Sequence, residues 1–307
     1  MSYLIGVDGG GSKTTALVAR PDGTILGRGS ADCSNYRAVG PESACQAIDQ
    51  ALRAAFTGAG LTFDPAAVSM ACFGLAGVDR PDDEAPVQAW AEQLWPGMPV
   101  RYVNDARLVL AAGTPEGWGL ALICGTGSIA YGRTPQGAFT RAGGWGYLLG
   151  DEGSGYDIGR AALRRVARAA DGRAPQTALT GLVLDHWSLE KPQDLIRFVY
   201  RPEIPRKEIA ALAVLVEQAA SQGDPAALEI VERAGDELAA AVRVVASRMD
   251  FRGPTPCALA GGVLVQGARV AGAFLASAAR QGLVLEPVQK VAEPAYGAVL
   301  LAREFLA

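Results

Sequence analysis

One histidine, five scattered cysteines and no surplus of positive charge mark what this 307-residue chain has little of. The lone His186 lies between Asp185 and Trp187, away from any other chemical signal, and reads as an ordinary structural residue. Cys33, Cys45, Cys72, Cys124 and Cys257 form no C-x-x-C pair, so neither a zinc site nor a redox motif is written locally, and buried thiols are expected. A net charge of −4 offers no basic face to phosphate backbones or anionic lipid, which argues against nucleic acid and membrane surfaces as partners. No apolar run is long enough to span a bilayer, and the opening residues lack the charged start and apolar core of a signal peptide. The expectation is a cytoplasmic protein whose mechanism rests on carboxylates, hydroxyls, lysine or a metal.

Half of the residues are hydrophobic and a fifth are charged, the profile of a globular chain able to fill one large core or two ordinary ones. Residues 3–8, 14–19 and 25–29 read as a meander of three strands, turned through Pro21-Asp22-Gly23-Thr24. Gly40-Pro41-Glu42 opens a helix that carries Ala44, Ile48, Ala51, Leu52 and Phe56 at helical spacing and stops at Gly58-Ala59-Gly60. A strand at 68–73, a helix at 82–94 headed by Asp82, Asp83 and Glu84, and a strand at 100–103 complete a βββαβαβ order. Residues 119–124, 128–132 and 139–141 then repeat the meander. The remainder reads as helices at 156–170, 195–200, 208–221 and about 228–249, a strand at 257–260, a helix at 270–279, a short strand at 283–285 and a closing helix from Pro294. Element order, not residue identity, carries the repeat.

"GVDGGGSKTT", residues 6–15, places three bare residues between Asp8 and Lys13. Phosphate needs several N–H groups presented at close range, which favours glycine because side chains block the approach and many such turns call for positive φ. A Walker motif wants glycine directly before its lysine and a helix after it; Ser12 stands there, and Thr14 to Arg20 reads as a strand. "GTGSIA", residues 125–130, fits the dinucleotide-binding pattern G-x-G-x-x-G/A, yet it too is followed by an alternating strand rather than a helix. Two glycine hairpins, Gly9-Gly10-Gly11-Ser12-Lys13-Thr14 and Gly125-Thr126-Gly127-Ser128, are expected to clamp a polyphosphate, and ATP suits that arrangement. Asp8 would repel phosphate unless a divalent cation lay between them, hence Mg2+ at Asp8, with a turn-capping role as the bland alternative.

"GVDGGGSKT", "SNYRAVG", "GLAG", "VNDA", "CGTGS", "GGWGYLLGDEGSGYDIG" and "ALAGGV" occur in the order seen in bacterial N-acetylglucosamine and glucosamine kinases, which this chain resembles over nearly its whole length. They form a branch of the actin, heat-shock chaperone and hexokinase superfamily that also contains the ATPase subunit of benzoyl-CoA reductase. The resemblance implies an α/β fold of two ribonuclease-H-like lobes, each βββαβαβα, with an interlobe ATP and sugar cleft. The lobes are expected at 1–114 and 115–307, the second with a helical insertion and a last helix able to pack back on the first. It also implies Asp105 as the catalytic base, although Asn104-Asp105 would equally suit a helix N-cap. Asn35, Asn104, Asp105, Thr126, Gly144, Trp145 and Asp151 are implied as sugar contacts, against an Asx turn for Asn35 and a core position for Trp145. Gly261, Gly262 and Gly297 would let adenine and ribose approach the backbone, with turn glycines as the rival reading, above all for Gly297. Glu152 would bind hydroxyl or metal-bound water, or merely sit at a helix N-terminus. Ala76 replaces a serine found in some amino-sugar kinases.

The function so implied is ATP-dependent phosphorylation of N-acetylglucosamine or glucosamine at a primary hydroxyl, by a homodimer. An ATPase activator of a reductase or dehydratase would need cluster-holding cysteines, and a non-catalytic sugar sensor would not need Asp8, Lys13 and Asp105 together.

Overall fold

The computed structural model describes residues 2–78, 81–201 and 206–306. The chain divides into two compact units, Met1–Trp118 with Val291–Ala307, and Gly119–Lys290. The division falls after Trp118 rather than after Thr114, because Thr114 still caps a helix through its bonds to the Leu110 carbonyl, and Gly119 opens the next strand.

The first unit opens with β1 (Tyr3–Gly9), β2 (Thr14–Ala19) and β3 (Ile25–Ala31), followed by the short α1 (Tyr36–Val39) and α2 (Pro41–Gly58). Next come β4 (Val68–Leu75), α3 (Pro81–Leu94), β5 (Val100–Asn104) and α4 (Asp105–Gly113). The side chains of Asp82, Asp83 and Glu84 lie outside those the structure describes. The sheet order is β3-β2-β1-β4-β5, with an antiparallel meander on one side and parallel β1, β4 and β5 on the other. Successive residues of β1 serve opposite faces, as the pleat requires. Ile5 and Val7 join Ile48, Phe56, Phe73 and Trp95 in one core, while Leu4 joins Leu17 and Leu108 in another.

The second unit repeats the plan. Its meander is β6 (Gly119–Cys124), β7 (Ser128–Arg133) and β8 (Phe139–Gly143). The helices α5 (Gly155–Ala170), α6 (Leu179–Trp187), α7 (Asp194–Val199), α8 (Arg206–Ser221) and α9 (Pro225–Arg248) follow. Then come β9 (Thr255–Ala260), α10 (Gly262–Val265), α11 (Ala268–Arg280) and β10 (Leu285–Val291). Its sheet, β10-β9-β6-β7-β8, mirrors the strand order of the first and again sets a parallel strand, β9, beside β6. Besides the four-residue helices α1 and α10, helix α6 and strand β10 depart from the sequence reading. Helix α6 had no pattern strong enough to show, since Gly181 and Thr180 weaken it; Asp224 anchors its start by accepting from Thr177 Oγ1 and the Ala178 N–H, and Leu179, Val183 and Trp187 bury one face. Strand β10 lies at 285–291 rather than 283–285; it is a sheet edge, largely exposed and carrying Pro287, so its apolar alternation is weak.

The last helix, α12 (Pro294–Leu306), belongs to the first unit, where it packs on β1, β4 and α4. Gly6 makes that possible. A Cβ there would stand 2.6 Å from the Ala295 carbonyl oxygen, so the helix could not lie so close to the strand.

Candidate active site

In the first unit, Asp8, Asn104 and Asp105 gather where the parallel strands end, the edge at which open α/β sheets present ligands. Asp8 lies near the end of β1 and pairs with Gly74 of β4, which in turn pairs with Val103 of β5; Asn104 and Asp105 follow directly. The Asp8 carboxyl is pushed up to about 7, chiefly by burial, then by the negative charge of Asp105, against an opposing pull from Lys13.

The hairpin after Asp8 closes when the Gly10 N–H donates to the Lys13 carbonyl at 3.1 Å, leaving Gly11, Ser12 and Lys13 exposed. Gly10 and Gly11 both lie outside the left-handed region, so the expectation that this turn calls for positive φ does not hold; what the glycines supply is room. A Cβ on Gly11 would meet nothing closer than Asn35 Nδ2 at 4.0 Å, which sets Asn35 beside the hairpin. Gly9 is enclosed between Leu75 and Ser34. The Thr14 hydroxyl is buried and turned inward, 2.6 Å from the Asp32 carbonyl and 2.8 Å from Ser34 Oγ, so Thr14 braces the hairpin rather than facing a ligand.

The bland readings of Asn35, Asn104 and Asp105 are all realised as local geometry. Asn35 Oδ1 accepts from the Arg37 N–H as the N-cap of α1, and Asn104 Oδ1 and Asp105 Oδ1 both accept from the Ala106 N–H at 2.9 Å. Capping one N–H with two carbonyl or carboxylate oxygens leaves each side chain further acceptor capacity.

In the second unit, the hairpin between β6 and β7 closes through Gly125 N–H to the Gly127 carbonyl at 2.9 Å. The carbonyls of Gly125 and Thr126 accept from the Gly155 and Tyr156 N–H groups at the start of α5, so the hairpin is fastened by its oxygens. Asp151 sits against it. The residue is 8% exposed, holds the left-handed φ of 59°, and its carboxylate accepts from the Ser128 and Gly146 N–H groups. Burial nevertheless raises its pKa. Gly127 is where the carboxylate fits, since a Cβ there would stand 2.8 Å from Asp151 Oδ2. Gly144 donates to the Ser128 carbonyl at 2.9 Å, which starts the loop carrying Trp145. Trp145 is 70% exposed and so is no part of the core. Glu152 is exposed, and its carbonyl accepts from Ser128 Oγ at 2.8 Å; α5 takes Ser154, not Glu152, as its N-cap. Beside Trp145 and Glu152 a cavity of about 320 Å3 reaches Glu237 over Leu122 and Val244. Gly261, with φ 88°, brings β9 against the Cys124 carbonyl, and Gly262 begins α10 with nothing within 4 Å of its Cβ position.

Gly297 is a correction. It lies inside α12, and its Cβ would stand 2.0 Å from the Leu108 carbonyl, so its bareness lets α12 cross α4 rather than letting a nucleotide in. Asp157 went unnoticed in the sequence: its carboxylate accepts from Gly153 N–H at 3.3 Å and from Arg160 and Arg233 at 3.0 Å each. The Ser154-x-x-Asp157 spacing, an acidic version of the capping box, was the available signal.

Residues 5–302 match the BadF/BadG/BcrA/BcrD ATPase family. The chain is 36% identical over 245 residues, 80% of its own length and 79% of the other, to the N-acetylmuramic acid/N-acetylglucosamine kinase of Clostridium acetobutylicum. It is 38% identical over 230 residues, 72% of each chain, to the N-acetyl-D-glucosamine kinase of Dictyostelium discoideum. A solved Chromobacterium violaceum structure, provisionally named an N-acetylglucosamine kinase, superposes with a TM-score of 0.81 at 31% identity, covering 98% of this chain and 99% of the other.

Proposed function

Because the chain belongs to the BadF/BadG/BcrA/BcrD ATPase family, we propose that it transfers the terminal phosphoryl group of ATP to a primary hydroxyl of an amino sugar, N-acetylglucosamine or glucosamine. The observation that carries the phosphoryl-transfer half is the placement of Asp8 and Asp105 at the carboxyl ends of β1 and β5, beside an exposed glycine hairpin bearing Lys13. The amino-sugar half is supported by the names of the relatives.

Asp105 orients the acceptor hydroxyl and receives its proton late, as suits a carboxylate of low basicity in a loose transition state. Lys13 and the N–H groups of Gly11 and Ser12 in the first unit, and those of Thr126 and Gly127 in the second, steady the phosphates; Gly10 and Gly125 use their N–H groups to close the two hairpins, and Gly261 and Gly262 leave room for the nucleoside. Trp145 offers an apolar platform to the sugar ring; Asp151, Asn35, Asn104, Thr126 and Gly144 offer hydrogen-bond partners to its hydroxyls. Asp8 fits magnesium: among the described residues no three His, Cys, Asp or Glu side chains form a cage, and Mg2+ takes one or two carboxylates with the rest from phosphate and water. When bound, it neutralises the phosphate charge that Asp8 would otherwise repel. On this reading the protein acts in the cytoplasm as a homodimer.

The activator reading has less support. Four of the five thiols are buried, and burial pushes Cys72 and Cys257 up to about 12, which disfavours the thiolates that hold an iron–sulfur cluster. A coupled ADP-release screen over N-acetylglucosamine, glucosamine, N-acetylmannosamine, N-acetylmuramate and glucose tests the proposal. Sugar-dependent release is expected with an amino sugar well above glucose; ADP release indifferent to every sugar sinks it.

A further inference from the structure

The second unit carries a basic groove that phosphoryl transfer does not use. Helix α5 sets Arg164, Arg165 and Arg168 along one wall and α9 brings Arg233 to the other, around a cavity of about 390 Å3 with Ile230 among its lining. Glu229 is the one acidic residue in that lining, and it is already paired with Arg165. Among the described residues neither Arg164 nor Arg168 has a carboxylate partner; Arg168 reaches only the Arg173 carbonyl, at 3.4 Å. Of the four guanidinium groups, Arg165 is matched by Glu229 and Arg233 by Asp157, which leaves the two charges of Arg164 and Arg168 in excess, a local inversion of sign on a chain of net charge −4. Arg164 and Arg168 stand one helical turn apart on α5, and guanidinium forks match the oxygens of a phosphate. The cavity has the volume of a small-molecule site, not of a track for a polymer.

Arg233 also reaches out of the groove. Its Nη2 lies 3.0 Å from Asp157 Oδ2, the oxygen that accepts the Gly153 N–H two residues after Asp151. An anion that draws Arg233 toward itself removes one of the two arginines holding Asp157, leaving Arg160 on the other oxygen.

We propose that the α5–α9 groove is a second anion site, built for a phosphate monoester of small-molecule size, and that its occupancy is transmitted through Arg233 and Asp157 to the loop 144–153. The binding half stands apart from the kinase assignment; the consequence for sugar affinity rests on the reading of that loop as the sugar's, and by reciprocity sugar and anion would then alter each other's affinity by one common factor.

Calorimetric titration of the full chain with glycerol 3-phosphate, at constant ionic strength and with saturating ADP, tests the site without any measurement of turnover. One-site binding is expected, at least tenfold weaker in the Arg164→Ala/Arg168→Ala double variant and unchanged in Lys13→Ala. Both substituted arginines are exposed on a helix, so the fold should survive their loss. Inorganic phosphate is expected to bind more weakly than the ester. Hydrogen exchange across 144–153 should quicken on addition of the ester, and Arg233→Ala should exchange at that faster rate without it. Absent binding, equal binding by the double variant, loss in Lys13→Ala, phosphate binding as tightly as the ester, preference for a polyanion such as heparin, or unchanged exchange would each overturn the proposal.

Discussion

The negative charge of Asp105 adds to the burial that holds the Asp8 carboxyl near 7, although two strand spacings separate β1 from β5. At roughly 4.8 Å per spacing the strands stand about 10 Å apart, and Asp105 follows β5 as the first residue of α4. Two acids so coupled favour a cation beside them, and they make Asp105 testable through its neighbour as well as through turnover.

Asp105→Asn should lower turnover by at least about a hundredfold, the ordinary scale of a lost general base. Nucleotide affinity should stay nearly intact, because Asn104 still caps α4. Steady-state kinetics alongside ADP titration checks this; near-normal turnover would remove Asp105 from its role. The same variant should bring the Asp8 pKa down, readable by NMR titration.

The Asp8 shift has a sign for stability. A carboxyl whose folded pKa lies above its unfolded value of about 3.9 contributes fully below that value, and the contribution is lost as pH climbs through the folded pKa. Without metal, the melting temperature should therefore fall between pH 4 and pH 7 on account of Asp8. Asp8→Asn should flatten that slope. An unchanged slope in differential scanning calorimetry would mean that Asp8 is ionised throughout.

Two glycines separate packing from ligand approach. Gly297→Ala drives a methyl into the Leu108 carbonyl and should cost stability by 1 kcal/mol or more, within the range of about 1–3 kcal/mol for overpacking. Gly262→Ala meets nothing within 4 Å, so its melting point should hold while its KM for ATP rises. If both variants melt normally and bind ATP normally, neither role stands.

Trp145→Ala removes an exposed ring and should leave the melting temperature within about 2 °C of wild type. Its KM for the sugar should rise about tenfold, the equivalent of about 1.4 kcal/mol, with the KM for ATP little altered. Equal effects on both constants would argue against a platform for the sugar.

Much of this was legible in one dimension because it is local. The glycine-turned meanders, the helix after Gly40-Pro41 and the long stripe of α9 follow from turn chemistry and hydrophobic period. The order of seven short motifs identified the family that the whole-chain match bears out. Helix α6, anchored from outside by Asp224, and the polar edge strand β10 left too weak a pattern to be read.

The sequence by itself determined which chemistry was on hand, namely Asp8, Lys13 and Asp105 with bare glycines between strands, since residue types and turn preferences are local properties. Only the tertiary structure decided what each bare position was for. Gly6 and Gly297 admit a helix, Gly127 admits the carboxylate of Asp151, and Gly11 stays open to the surroundings. The reason is steric: a missing side chain is equally missing in every sequence context, and what approaches the gap is chosen by other parts of the chain, Asp151 for Gly127, Leu108 for Gly297 and Ala295 for Gly6.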